Sequence, residues 1–125
     1  MSDLVVVALG GALGSVLRYF VGLAVATIWP TQLHIATLFV NIVGCFLIGC
    51  VFAWFIGRPG ASEVLKLLLM TGLLGGFTTF STFSLDALRM LIDGQFMHAL
   101  FYMGVTLFGG LLATGLGLAL VKFSL

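Results

Sequence analysis

Four apolar stretches, each long enough to cross a bilayer, alternate with three short breaks of polar, proline and glycine residues. A hydrocarbon core of about 30 Å takes about 20 helical residues. The pattern predicts membrane-spanning helices over residues 4–28, 35–57, 64–92 and 96–121. Trp29-Pro30 closes the first, because an indole suits the water interface and proline cannot continue a helix. Arg58 to Glu63 reads as a turn in which Ser62 caps the third helix, with Glu63 and Lys66 in its first turn. Asp93-Gly94 makes the last turn, and Lys122 ends the fourth helix. The expected fold is an all-α membrane protein, a single transmembrane domain over residues 1–125.

The third stretch is long for one span, and its middle is unlike the rest. Between Thr71 and Ser84, Gly72, Gly75 and Gly76 precede Thr78, Thr79, Ser81, Thr82 and Ser84, with Phe77, Phe80 and Phe83 among them. Each glycine weakens a helix by about 1 kcal/mol, and Thr and Ser compete for backbone hydrogen bonds. Backbone groups freed inside a bilayer must be satisfied by protein or by a polar cavity. The third helix is therefore expected to be broken mid-membrane, facing a pathway or a bound ion.

Composition narrows the function. The chain is 62% hydrophobic and 7% charged, against about 25% charged residues in soluble domains. Four crossings use nearly all of the 125 residues, which leaves no room for a soluble catalytic domain. His34 and His98 lie near helix ends with no nucleophile or metal-ligand spacing beside them, so no enzyme is expected. No basic patch points to nucleic acid, and no cleavable signal is expected at an amino end that carries Asp3 and a long apolar run. Cys45 and Cys50 lie on different faces of one helix and read as buried small hydrophobes.

The polar positions inside the spans are few. Gly10 and Gly14 form a small-residue face for close helix approach, with Gly11 beside it. Arg18 reads either as a snorkelling or carbonyl-bound cation or as a cation lining an anion's entry. Thr37 and Asn41 share a face, continued by Gly44 and Cys45, and Asn41 alone reads most simply as interhelical glue. Tyr102, Thr106, Gly110 and Thr114 recur every four residues, as a packing face or a polar track. Asp86 and Arg89 are three apart and read as an ion pair at a solvated helix end. Hydroxyls and amides donate to anions, and aromatic ring edges carry partial positive charge. Phe80 and Phe83 project to one side of a helical turn, so ring edges with Asn41 donors would solvate a small anion without trapping it. Carbonyls exposed by the glycines suit a hard cation. The residues thus point to a small-ion pathway beside a candidate structural cation.

Arg58, Lys66 and Lys122 fall on one side of the membrane, against Arg89 and, towards the same side, Arg18. So weak a positive-inside bias is compatible with insertion in both orientations and an antiparallel dimer. Two rival readings use the same residues. A small proton-coupled multidrug exporter has similar size but needs a carboxylate in its first helix, where this chain has Arg18 and no acid after Asp3. A non-transporting assembly subunit would use Asn41 and Tyr102 as glue.

The run Gly75-Gly76-Phe77-Thr78-Thr79-Phe80-Ser81-Thr82-Phe83-Ser84 resembles the signature of the Fluc (CrcB) family of small fluoride channels. The likeness extends to Gly14-Ser15-Val16-Leu17-Arg18, to Thr37-Leu38-Phe39-Val40-Asn41 and to Tyr102, and covers the whole chain in length and order. The resemblance implies an antiparallel, dual-topology homodimer with paired pores in a bacterial inner membrane. It implies that Phe80 and Phe83 line the pore with their edges and that Asn41 donates to fluoride. Thr37, Tyr102 and Thr106 would form a polar track, Ser81 and Thr82 would add hydroxyls, and Arg18 would sit in the vestibule. Carbonyls of Gly75 and Thr78 from both subunits would hold a structural sodium ion that is not transported. Gly110 stands where some members carry a track serine, a departure that backbone or water is expected to cover. The implied function is passive fluoride export. Hydrogen fluoride crosses lipid and ionises inside, and the hydrated anion cannot return through hydrocarbon.

Overall fold

The computed structural model describes residues 2–124. Four of its helical spans are long and apolar enough to cross a membrane, and no strand occurs among the described residues. The first two are α1 (Asp3–Ile28) and α2 (His34–Ile56). The third span, Glu63–Ile92, is composite. It runs through α3 (Glu63–Lys66), a π-helical stretch over Leu67–Leu74, the single turn α4 (Gly75–Phe77) and α5 (Phe80–Ile92). The last is α6 (Phe96–Lys122). Each span starts or stops within a residue of the sequence expectation, the usual scatter at fraying ends.

The ends follow from local chemistry. Trp29 N–H closes α1 on the Val25 carbonyl at 2.7 Å, just before Pro30. Ser62 Oγ accepts from Leu65 N–H at 3.3 Å, capping α3 as its position predicts. After α5, Gly94 adopts φ 76°, and Gln95 N–H reaches the Met90 carbonyl at 2.8 Å while Gly94 N–H reaches Leu91 at 3.1 Å. This double closure needs a left-handed residue at Gly94, which glycine takes without strain.

Helix packing rests on glycines at backbone-to-backbone contacts. A Cβ on Gly10 would lie 2.6 Å from the Leu68 carbonyl oxygen and 2.9 Å from the Gly72 Cα. Gly14 presses in the same way on Leu73 and Phe77, so α1 lies directly on the π-helical stretch and α4. On the other side of the bundle, Gly49 meets the Thr114 carbonyl and Gly117 meets the Phe46 carbonyl, seating α2 on α6. The small-residue face expected at Gly10 and Gly14 is thus an intramolecular one. Ala87, Met90, Ala99 and Tyr102 form a buried cluster between α5 and α6. Large apolar side chains such as Leu4, Phe101, Phe108 and Leu112 face outward, as a lipid solvent demands.

Two substitutions check this packing. Gly10→Ala must displace backbone and is expected to lower stability by about 1–3 kcal/mol. Gly22→Ala meets nothing within 4 Å and should leave it unchanged or slightly higher. Thermal unfolding in detergent, followed by circular dichroism, compares the two directly.

Candidate functional site

The site is built where the third span stops being helical. Thr78 N–H still bonds the Leu74 carbonyl at 3.0 Å, and Thr78 Oγ1 donates to the same oxygen at 2.9 Å. Thr78 (φ −83°, ψ 162°) and Thr79 (φ −154°, ψ 118°) are then extended before α5 begins. Thr79 N–H, which a continuous helix would give to the Gly75 carbonyl, donates instead to Asn41 Oδ1 at 2.8 Å. Asn41 Nδ2 returns a bond to the Thr79 carbonyl at 3.0 Å. The Asn41 amide therefore pairs both backbone groups of Thr79, as a neighbouring strand would. Gly44, one turn along α2, leaves the room that the Thr78 methyl group fills.

Two cavities flank this joint. One, of about 430 Å³, holds Asn41, Gly75, Thr78, Phe80, Phe83 and Thr106 in its wall, with Cys45, Gly110 and Thr114 further along. We term it the Phe cavity. The Phe80 and Phe83 ring centroids are 5.6 Å apart at 51°, and Phe83 packs on Tyr102 at 5.4 Å. Phe80 is 79% exposed, so the cavity opens to the outside of this chain. The other, the Arg cavity, of about 700 Å³, is lined by Arg18, Thr37, Ser81 and Thr82. Arg18 Nη1 lies 3.5 Å from the Thr78 carbonyl. The predicted residues therefore divide between two chambers. Thr37 and Asn41, neighbours on one helix, open into different ones.

Tyr102 and Thr37 meet at a residue that sequence reasoning assigned elsewhere. Thr37 Oγ1 donates to Asp86 Oδ2 at 2.8 Å, and Tyr102 OH donates to the same oxygen at 3.4 Å. No Asp86–Arg89 ion pair forms among the described residues, where Asp86 takes its donors from Thr37 and Tyr102. Asp86 is half-buried, not a solvated end. A signal for this was present. Asp86 follows Phe83 by three residues and so shares its face, while Thr37 and Tyr102 both needed an acceptor. His34 stands edge-on to Tyr102 with centroids 5.6 Å apart.

The α6 stripe is more subtle than its spacing suggests. Thr106 Oγ1 donates back to the Tyr102 carbonyl at 2.7 Å, and Thr114 Oγ1 to the Gly110 carbonyl at 3.0 Å. Each hydroxyl has one proton, so both present lone pairs to the cavity until they rotate. At Gly110, an added Cβ would sit 3.3 Å from Cys45 Sγ, so a thiol borders the space of the absent serine side chain. For a cation, the donor set is backbone oxygen. The Gly75 carbonyl has lost its helical donor to Asn41, and Gly75 and Thr78 both line the Phe cavity. Two carbonyls fit part of a hard-cation shell, and a second copy would double them.

Asn41→Ala removes both bonds to Thr79 and leaves its backbone unpaired in an apolar setting. The expected loss is about 2 kcal/mol, read as a lowered thermal midpoint in detergent.

Comparison with known proteins places these features in a lineage. Residues 5–118 match the family described as CrcB-like protein, Camphor Resistance (CrcB). The chain is 47% identical over 116 residues to the fluoride-specific ion channel FluC of Pseudomonas fluorescens (strain SBW25), covering 93% of this chain and 94% of that protein. It is 47% identical over 116 residues to the protein of the same name from Stutzerimonas stutzeri (strain A1501), with the same coverage. It is 45% identical over 122 residues to that of Pseudomonas syringae pv. tomato (strain ATCC BAA-871 / DC3000), covering 98% of each. A match of this length and identity shows that the chain belongs to the CrcB family.

Proposed function

We propose that this chain is a fluoride channel of the bacterial inner membrane, passing fluoride passively out of the cell. The observation that carries the reading is the Phe80–Phe83 pair beside Asn41, in a chain whose relatives are named fluoride-specific channels. Ring edges, one remaining Asn41 N–H and rotatable hydroxyls replace water without a cationic side chain in the wall of the Phe cavity. An anion there is bound loosely enough to leave. Arg18 and the hydroxyls of Thr37, Ser81 and Thr82 gather the hydrated ion in the wider Arg cavity. Thr106 and Tyr102 extend the polar route along α6, with Asp86 holding Thr37 and Tyr102 in position. The extended Thr78–Thr79 step serves as the mid-membrane break of the third span.

The working unit in this proposal is an antiparallel, dual-topology homodimer. The exposed Phe80 then faces a second copy. Carbonyls of Gly75 and Thr78 from both copies hold a structural sodium ion, which supplies a fixed charge that locks the two breaks together. Neither rival gains support: α1 carries Arg18 and no acid after Asp3, as an exporter would require, and the polar groups converge on cavities as well as on packing faces.

Fluoride efflux from liposomes loaded with fluoride or chloride tests the reading. Wild type should release fluoride selectively, and Phe80→Ile should slow release at least about tenfold, a barrier rise of ~1.4 kcal/mol or more. Absence of efflux from folded protein in sodium would favour an assembly subunit, and proton flux coupled to a cationic drug would favour an exporter. Single-cysteine labelling of a loop residue in whole cells should find both orientations, and a single orientation would remove the antiparallel dimer.

A further inference from the structure

We propose that Thr79 is the relay between the two chambers, its hydroxyl replacing lost water as the ion passes from the Arg cavity to the Phe cavity. The inference rests on the fluoride-channel reading and adds a residue to it. Among the described residues, Thr79 alone lines both cavities. It is 8% exposed and forms the partition between them.

Its atoms divide their work by side. The backbone is pinned through both N–H and C=O by Asn41, which belongs to the Phe cavity. The hydroxyl belongs to a cluster with Ser81 and Thr82, which belong to the Arg cavity. Thr79 Oγ1 accepts from Thr82 N–H at 3.3 Å, so the oxygen is held while its proton stays free to turn. That proton now points to Thr82 Oγ1 at 3.1 Å, with Ser81 Oγ at 3.3 Å as an alternative partner. Rotation redirects the donor without moving the oxygen, and the neighbouring hydroxyls rearrange with it. An anion entering an apolar chamber loses water hydrogen bonds at the partition, where an unpaired charge is most costly. Thr79 stands at that point with a proton that rotation can turn from Thr82 Oγ1 to the ion.

Three variants read in liposome efflux test the relay, each with its thermal midpoint measured. Thr79→Val keeps the shape and the Asn41 clamp but has no hydroxyl, and should conduct at least about tenfold more slowly. Thr79→Ser restores the hydroxyl and should conduct within about twofold of wild type. Thr79→Gly also suits the first position before α5 but has no side-chain donor. It should hold stability close to wild type while efflux stays at least about tenfold low. If Thr79→Gly keeps both stability and efflux, the residue is only a helix cap and the relay is overturned. Wild-type efflux from a folded Thr79→Val protein overturns it equally. If Thr79→Val does not fold, the Ser and Gly variants decide alone. Failure of wild type to release fluoride would sink the channel reading itself, whereas conduction by wild type and all variants would sink only the relay.

Discussion

The structure depends on one requirement, that backbone amides released inside an apolar bundle find partners within the protein. At Thr79 the partner is a single side chain. The Asn41 amide matches both backbone groups of one residue, at 2.8 and 3.0 Å. Leaving either group bare would cost about 1–3 kcal/mol, enough to pull the segment back towards helix. The clamp thus permits two consecutive extended residues in a span that would otherwise wind through. Much else follows from it. The Gly75 carbonyl loses its donor, α5 restarts at Phe80, and the chambers on either side acquire a shared wall.

Such a joint needs rigid surroundings, and in lipid these come from close approach, since apolar side chains gain nothing by avoiding hydrocarbon. Gly10, Gly14, Gly72 and Gly76 bring α1 against the third span just ahead of the extended step. Gly49 and Gly117 lock α2 to α6, which fixes Asn41 relative to Thr106 and Gly110. The two seams hold opposite sides of the extended segment. The π-helical turns beneath α1 bring Gly75 N–H back to the Met70 carbonyl, five residues away, and so re-phase the span before it opens.

The spans, their caps and the unusual middle of the third one were legible in the sequence because each is a local signal. Ser62, Asp93-Gly94 and the glycine face of α1 act through neighbours a turn away or through the mere lack of a side chain. The partition of the site was not legible. Thr37 and Asn41 sit one turn apart on α2 and look like one polar face, yet the α5 restart drives between them. Asp86 was misassigned because an acid and an arginine three apart have an obvious local partner, whereas its real donors come from α2 and α6. Thr79 was hidden among five hydroxyl residues that composition cannot rank. Only the two hydrogen bonds from Asn41 show that it, and not a neighbour, is the residue held through both backbone groups.

The contact between Gly110 and Cys45 ties two distant positions into one decision. With only 3.3 Å from the thiol sulfur to the place a Cβ would take, a side chain at 110 needs the Cys45 thiol to give by a few tenths of an ångström. Genetic drift at these sites is therefore not independent. A side chain gained on α6 has to be met by a small shift of the thiol on α2, and a chimera that exchanges one helix without the other brings together surfaces that were not fitted at this point.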